Sequence, residues 1–154
     1  KKVVFGSTNT FRHIDLLQYR ENLMPELDFY KEKTIDREYM VKTFVPNLIA
    51  LFQNQLPSEK DTDRGANFLM GAGNQLFHIQ PDYSVLSPQC GYCAVGCGAV
   101  AAMGSLYATT TYKPELSPQE HIRIALESAE RNCCGVHRPF RIINTKNEEE
   151  ILIE

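Results

Sequence analysis

The sequence predicts a layered α+β domain built on antiparallel strands. Three observations carry that prediction. Strand-like runs stand at both ends and in the middle, at Val3–Phe5, 67–86 and 140–153. A helix-period stretch runs from Val41 to Phe52, and two more helices are signalled at Ala99–Ala108 and Ser117–Asn132. Helices in sequential pairs between antiparallel strands place the helices outside and the sheet inside.

Val3-Val4-Phe5 reads as a short strand, and Gly6-Ser7-Thr8 as a tight turn whose hydroxyls can cap a helix. Phe11, Ile14 and Leu17 then recur at three-residue steps, marking the buried stripe of a first helix. Residues 22–35 are polar, contain Pro25 and read as a loop. Val41, Phe44, Val45, Leu48, Ile49 and Phe52 lie on one helical face, with Asp36 as N-cap. Pro46 removes a backbone donor inside that helix and predicts a bend near Lys42–Pro46. A charged loop follows at 57–65.

Asn67–Gly71 and Gln75–Gln80 are apolar-rich runs around Ala72-Gly73-Asn74, a hairpin signal. Pro81-Asp82 makes a turn, Tyr83–Leu86 continues as a strand, and Ala94–Gly96 reads as another short strand. Ala99–Ala108 is nearly all apolar or small, the composition of a helix buried on several sides. Ser117-Pro118-Gln119-Glu120 is a capping box with Pro at the first helical position. Ile122, Ala125, Leu126, Ala129 and Cys133 form the stripe behind it, and Glu127 is spaced to pair with Arg131. Phe140–Ile143 and Ile151–Ile153 close the chain as strands, with Glu148-Glu149-Glu150 a solvated turn between them.

Composition narrows the function classes. The 154 residues suit one domain, and 43% apolar residues suffice for a core. The net charge of −3 supplies no electrostatic reason for a nucleic-acid or anionic-membrane partner. The Tyr and Phe positions fall at core spacings and form no base-stacking platform. No apolar run approaches the roughly 18 residues of a membrane span, and the first residues lack the apolar stretch of a signal peptide. The five cysteines, an odd number, read as reduced thiols of a cytosolic-type protein.

In this order the motifs are informative. Gly73–Asp82 resembles the "G-x-x-L-(Y/F)-x-I-D-P" hairpin of proteasome-type subunits. Ala94-Val95-Gly96-Cys97-Gly98 resembles their "A-(I/V)-G-S-G", and the small-residue helix and the capped "L-S-x-x-E" helix follow in the family's order. Phe5-Gly6-Ser7-Thr8 and the helix behind it are similar to the "G-(G/S)-x-x-D" turn and first helix of the same family. From about Val3 to about Ile143 the chain thus resembles the proteasome β-subunits and HslV, the N-terminal-nucleophile hydrolases, and above all their bacterial and phage relatives. The resemblance implies a four-layer α-β-β-α sandwich with antiparallel sheets, in one domain over 1–154. It also implies hydrolysis of peptide or protein substrates, a cytoplasmic homo-oligomer, and neither cofactor nor metal.

In that family the side chain of the mature N-terminal residue, normally Thr, attacks, and its own α-amine is the base. A Lys depresses the amine's pKa, an Asp orients the Lys, and a backbone N–H at the glycine turn holds the oxyanion. Carried over, Gly6 stands at the oxyanion-hole turn, Cys97 where the family has a Ser near the amine, and Asn132 where it has a supporting Asp. Both polar matches are substitutions. Position 1 is Lys, without a hydroxyl or thiol, and the two strands carrying nucleophile, Asp and Lys have no counterpart. A sheet without those strands exposes unpaired edges, which favours a nucleophile-bearing segment ahead of Lys1. The competing reading is a catalytically inactive structural or assembly protein of the same fold.

Other readings rest on local features. Cys97 lies between two glycines at a strand-to-helix junction, where a helix N-terminus can activate a thiol, but the nucleophile-elbow spacing fails. A small buried residue lining the site is the simpler role. Cys90, Cys93, Cys97 and His78 contain one C-x-x-C and no second pair, so no metal is assigned. His13, His121 and His137 are isolated in sequence.

Overall fold

The computed structural model describes residues 3–8, 11–19, 35–55, 67–72, 74–147 and 149–154. The charged loop at 57–65 and, apart from Ile35, the loop at 22–35 lie outside them, as do Lys1, Lys2, Gly73 and Glu148.

Strand β1 (Val3–Thr8) pairs antiparallel with β2 (Asn67–Ala72), β2 with β3 (Gln75–Ile79), and β3 with β4 (Val85–Leu86). The sheet order is therefore β1-β2-β3-β4. Strands β5 (Phe140–Ile143) and β6 (Glu150–Ile153) form a separate antiparallel pair. The hairpin falls where expected: Ala72 pairs with Gln75, a two-residue connection.

The helices are α1 (Phe11–Gln18), α2, α3 (Ala99–Tyr112) and α4 (Pro118–Asn132). Helix α2 starts as Arg37–Tyr39, widens into a π turn over Met40–Phe44 and continues as Val45–Gln55. Asp36 caps it, its carboxylate accepting from Tyr39 N–H at 2.8 Å. The irregularity expected near Pro46 takes the form of that π turn, in which Val45 N–H reaches back to Met40 C=O. The extra residue per turn rotates the preceding segment, so Met40 is fully buried and Val41 is 45% exposed. The apolar stripe expected to begin at Val41 begins at Met40.

The larger core lies between α1, α2 and one face of the four-stranded sheet. Period-2 alternation turns Phe68, Met70 and Ala72 inward, and the register sets Phe77 against Met70 and Ile79 against Phe68. Phe44, Leu48 and Phe52 of α2 cover that face, and Phe5 stacks on Phe44 with ring centroids 5.8 Å apart. His13 is fully buried, its ring 4.2 Å from that of Phe52. The stripe of α1 is therefore His13, Leu16 and Leu17, not Phe11, Ile14 and Leu17, and Phe11 is exposed.

A smaller core joins α3 to α4 through Ala102, Leu106, Ala125 and Ala129. Small residues there allow close approach, but only this face of α3 is covered among the described residues. Val100 is 88% exposed, and Tyr107 and Tyr112 are open as well, so α3 is not buried on several sides. The stripe of α4 narrows likewise, with Ile122 exposed. Glu127 pairs with Arg123 at 3.0 Å and Arg138 at 3.3 Å rather than with Arg131. Arg138 also meets Glu130 at 3.1 Å and donates to the Glu154 carbonyl, tying α4 to the end of the chain beyond β6.

Two strand expectations are corrected. Tyr83 has φ 64, outside the strand region, so β4 starts only at Val85. Residues Ala94–Gly96 form no strand, because Gly96 takes φ 103 and breaks the extended backbone.

Candidate functional site

The sheet's second face meets the loop 93–98. Along it stand Thr8, Asn67, Leu69 and His78, the residues alternate to the core-facing set. Two glycines let the loop come close. A Cβ at Gly96 would lie 3.0 Å from Thr8 Cγ2, and one at Gly98 would lie 2.8 Å from Val136 Cγ2 and 2.9 Å from Ala129 Cβ. Gly98 is also the N-cap of α3 and has no side chain to cap it. The loop is thus clamped between the end of β1 and the far end of α4.

Behind the loop lies a cavity of about 590 Å³, within the size range of small-ligand sites. Leu69, Val95, Leu106, Ile122 and Leu126 supply apolar walls, with Phe11 at the side of β1. Ser7 and Thr8 border it, and their buried hydroxyls have no hydrogen-bond partner among the described residues. Cys93, Cys97 and Gly98 border it from the loop.

Two thiol arrangements sit here. Cys97 is exposed and faces Cys133 beside Gly135, where a Cβ would lie 2.8 Å from Cys97 Sγ and 4.0 Å from Cys133 Sγ. Interaction with the Cys133 thiol pushes the Cys97 thiol up, with desolvation adding to it. Cys97 is therefore an exposed thiol at the cavity's border rather than a small buried wall residue.

Cys93 has different company. Its Sγ lies 3.9 Å from His78 Nδ1, and His78 Nε2 lies 3.2 Å from Asn67 Oδ1. With Asn67 Oδ1 accepting, Nε2 carries the proton and the Nδ1 lone pair is left toward the sulfur. Burial holds the His78 imidazole below its ordinary value and pushes the Cys93 thiol up, so both are neutral at pH 7. By spacing alone His78 and Cys93 stand only among zinc candidates, and Asn67 is not singled out. The signal was present: Asn67 and Leu69 share a face by alternation, and hairpin register sets His78 opposite Leu69.

The carried-over residues lie as follows. Gly6 stands inside β1, paired with Leu69, and the turn expected at Gly6-Ser7-Thr8 is strand. The strand continues because β2 pairs with it through Asn67, and a Cβ at Gly6 would meet nothing within 4 Å. Asn132 is exposed, and its amide donates to Ser128 C=O of its own helix at 2.7 Å, while the next residue, Cys133, reaches Cys97. Cys90 is exposed and donates to Tyr92 C=O. No group of three or more metal-ligating side chains occurs among the described residues. Nor is any helix among them long and apolar enough to cross a membrane.

No protein-family profile matches the chain, and no curated protein matches it in sequence. Solved structures do. Eukaryotic HslV from Trypanosoma brucei superposes with a TM-score of 0.61 at 16% identity, covering 89% of this chain and 72% of its own. BPH from Thiobacillus denitrificans superposes with a TM-score of 0.62 at 17% identity, covering 89% of this chain and 70% of its own. The same protein in complex with epoxomicin gives 0.63 at 16%. The chain has a proteasome β/HslV-like fold.

Proposed function

We propose that this chain is the greater part of a proteasome- or HslV-like threonine-type peptidase subunit, a hydrolase of peptide amide bonds whose nucleophile stands on a segment ahead of Lys1. The observation that carries the reading is structural likeness to HslV over 89% of the chain. Two features support a further pair of strands and with them the four-layer sandwich. Among the described residues strand β1 has an unpaired edge, and β5–β6 is a sheet of only two strands. Exposed Val100, Tyr107 and Tyr112 on α3 support a homo-oligomer assembled through its outer helices, acting on peptide or protein substrates in the cytoplasm. Gly6 and Cys97 would border the reacting end, with Asn132 further out.

The test is the protein as its own cell makes it. Intact mass and N-terminal sequencing are expected to reveal a Thr, Ser or Cys opening a strand, followed by an Asp and a Lys. That protein is expected to hydrolyse fluorogenic peptide amides and to form an adduct with epoxomicin, and both are expected to vanish when the first residue becomes Ala. An upstream sequence without such residues, or a protein inert to both reagents, overturns the reading. The second reading, a non-catalytic assembly protein, draws support from Asn132, whose amide is spent on its own helix, and from Cys97, whose neighbour is another thiol. It predicts the same oligomer with no hydrolysis.

A further inference from the structure

We propose a second catalytic site inside this chain, in which Cys93 is an acyl-accepting nucleophile, His78 its general base and Asn67 the residue that orients the base. The three come from separate stretches, the loop after β4, strand β3 and the first residue of β2. The fold brings them into line, with Sγ 3.9 Å from Nδ1 and Nε2 3.2 Å from Oδ1. A nucleophile, a base and an orienting third group in this order is the arrangement nucleophilic catalysis requires, and spacings in the unliganded state run longer than in the reacting complex. Asn67 selects the tautomer: its carbonyl oxygen holds the proton on Nε2, so Nδ1 is free to receive one from sulfur.

Cys93 borders the cavity, whose apolar walls and volume of about 590 Å³ fit an aliphatic acyl chain. The substrate class is therefore an aliphatic acyl ester. His78 Nδ1 takes the thiol proton as Sγ attacks the carbonyl carbon, a C–S bond forms and the carbonyl electron pair moves to oxygen. Collapse expels the alkoxide, which takes the proton from His78 and leaves as the alcohol. Water, with His78 as base, then attacks the thioester; the C–S bond breaks, the carboxylic acid leaves and sulfur recovers its proton. Ester and water become acid and alcohol, and no other reactant is needed. The uncapped start of α3 borders the same cavity. The site does not rest on the peptidase reading, because its three residues lie within the 154, so either can fail alone.

The experiment treats the protein as its own cell makes it with p-nitrophenyl butyrate, any residue ahead of Lys1 that could act as nucleophile being changed to Ala. It follows p-nitrophenolate release and maps butyryl groups on peptides. The expected result is a hydroxylamine-labile thioester on Cys93. Cys93→Ala and His78→Gln are expected to lower release at least about 100-fold, while Cys90→Ser and Cys134→Ser leave it unchanged. Asn67→Leu is expected to lower it several-fold, and Asn67→Asp, which keeps an acceptor oxygen, to restore it. Butyryl groups on Cys90, Cys97 or Cys134 with Cys93 free overturn the proposal, as does release unchanged in Cys93→Ala. The mapping leaves the 154 residues themselves unaltered, so a variant that fails to fold leaves the result decisive.

Discussion

Gly98 shows how much a single hydrogen atom controls near the cavity. Any β-carbon there overlaps Ala129 Cβ, on a helix that has no rotamer with which to yield. Gly98→Ala is expected to cost about 1–3 kcal/mol, read as a lower denaturant midpoint at unchanged m-value. Gly104→Ala, which meets nothing within 4 Å, is the matched control on the same helix and is expected to be neutral or stabilising. Cys97 carries a pH prediction. Its thiol pKa lies above the ordinary value, so the reactive thiolate is scarce at pH 7 and grows only as pH rises towards that raised value. Alkylation of Cys97 by iodoacetamide is expected to lag behind that of an unperturbed thiol peptide at pH 7.5 and to accelerate up to and beyond pH 9, measured by peptide mapping.

At the scale of elements, α4 begins with the strongest local signal in the chain, and the structure bears it out. Ser117 Oγ accepts from Glu120 N–H at 3.3 Å, and Glu120 Oε2 accepts from Ser117 N–H at 2.8 Å. Ser117→Ala is expected to cost about 1 kcal/mol in thermal or denaturant unfolding. The Ser117 side chain and backbone hold the Glu120 carboxyl below its ordinary value. The folded pKa is the depressed one, so the contribution of this cap is complete above the unfolded carboxyl value and is lost as pH falls through the folded one. The difference between wild type and Glu120→Gln is therefore expected to shrink from pH 6 to pH 3. Capping, the position of the hairpin turn and the Asp36 start of α2 were legible because each depends on residues within four positions of one another. The phase of α2 was not, because a π turn changes the residues per turn without altering any residue type. Strand β1 ran on past Gly6 for a similar reason: its length is set by pairing with β2, some 60 residues away in sequence.

On the scale of the whole molecule, the two cores differ in kind. Phe52, Phe68 and Phe77 are fully buried in the larger one, and Phe52→Ala is expected to cost about 3–5 kcal/mol in equilibrium unfolding. The smaller core is built of alanines and one leucine and leaves the outer side of α3 open. If subunits join through that side, Tyr107→Asp is expected to lower the sedimentation coefficient to that of a smaller species without loss of helical circular dichroism.

What the sequence determined by itself was the kind and order of elements, because periodicity, caps and turn residues act locally on the backbone. It also marked the ordered motifs that point to the proteasome-like fold. Only the tertiary structure decided which side chains meet. Cys97 met Cys133 and not a base, Asn132 turned to its own helix, and Asn67, His78 and Cys93 came together from stretches up to 26 positions apart. Alternation and the hairpin turn make the shared face of Asn67 and His78 readable, but the loop path that brings Cys93 to them is set by many residues jointly and no local pattern encodes it.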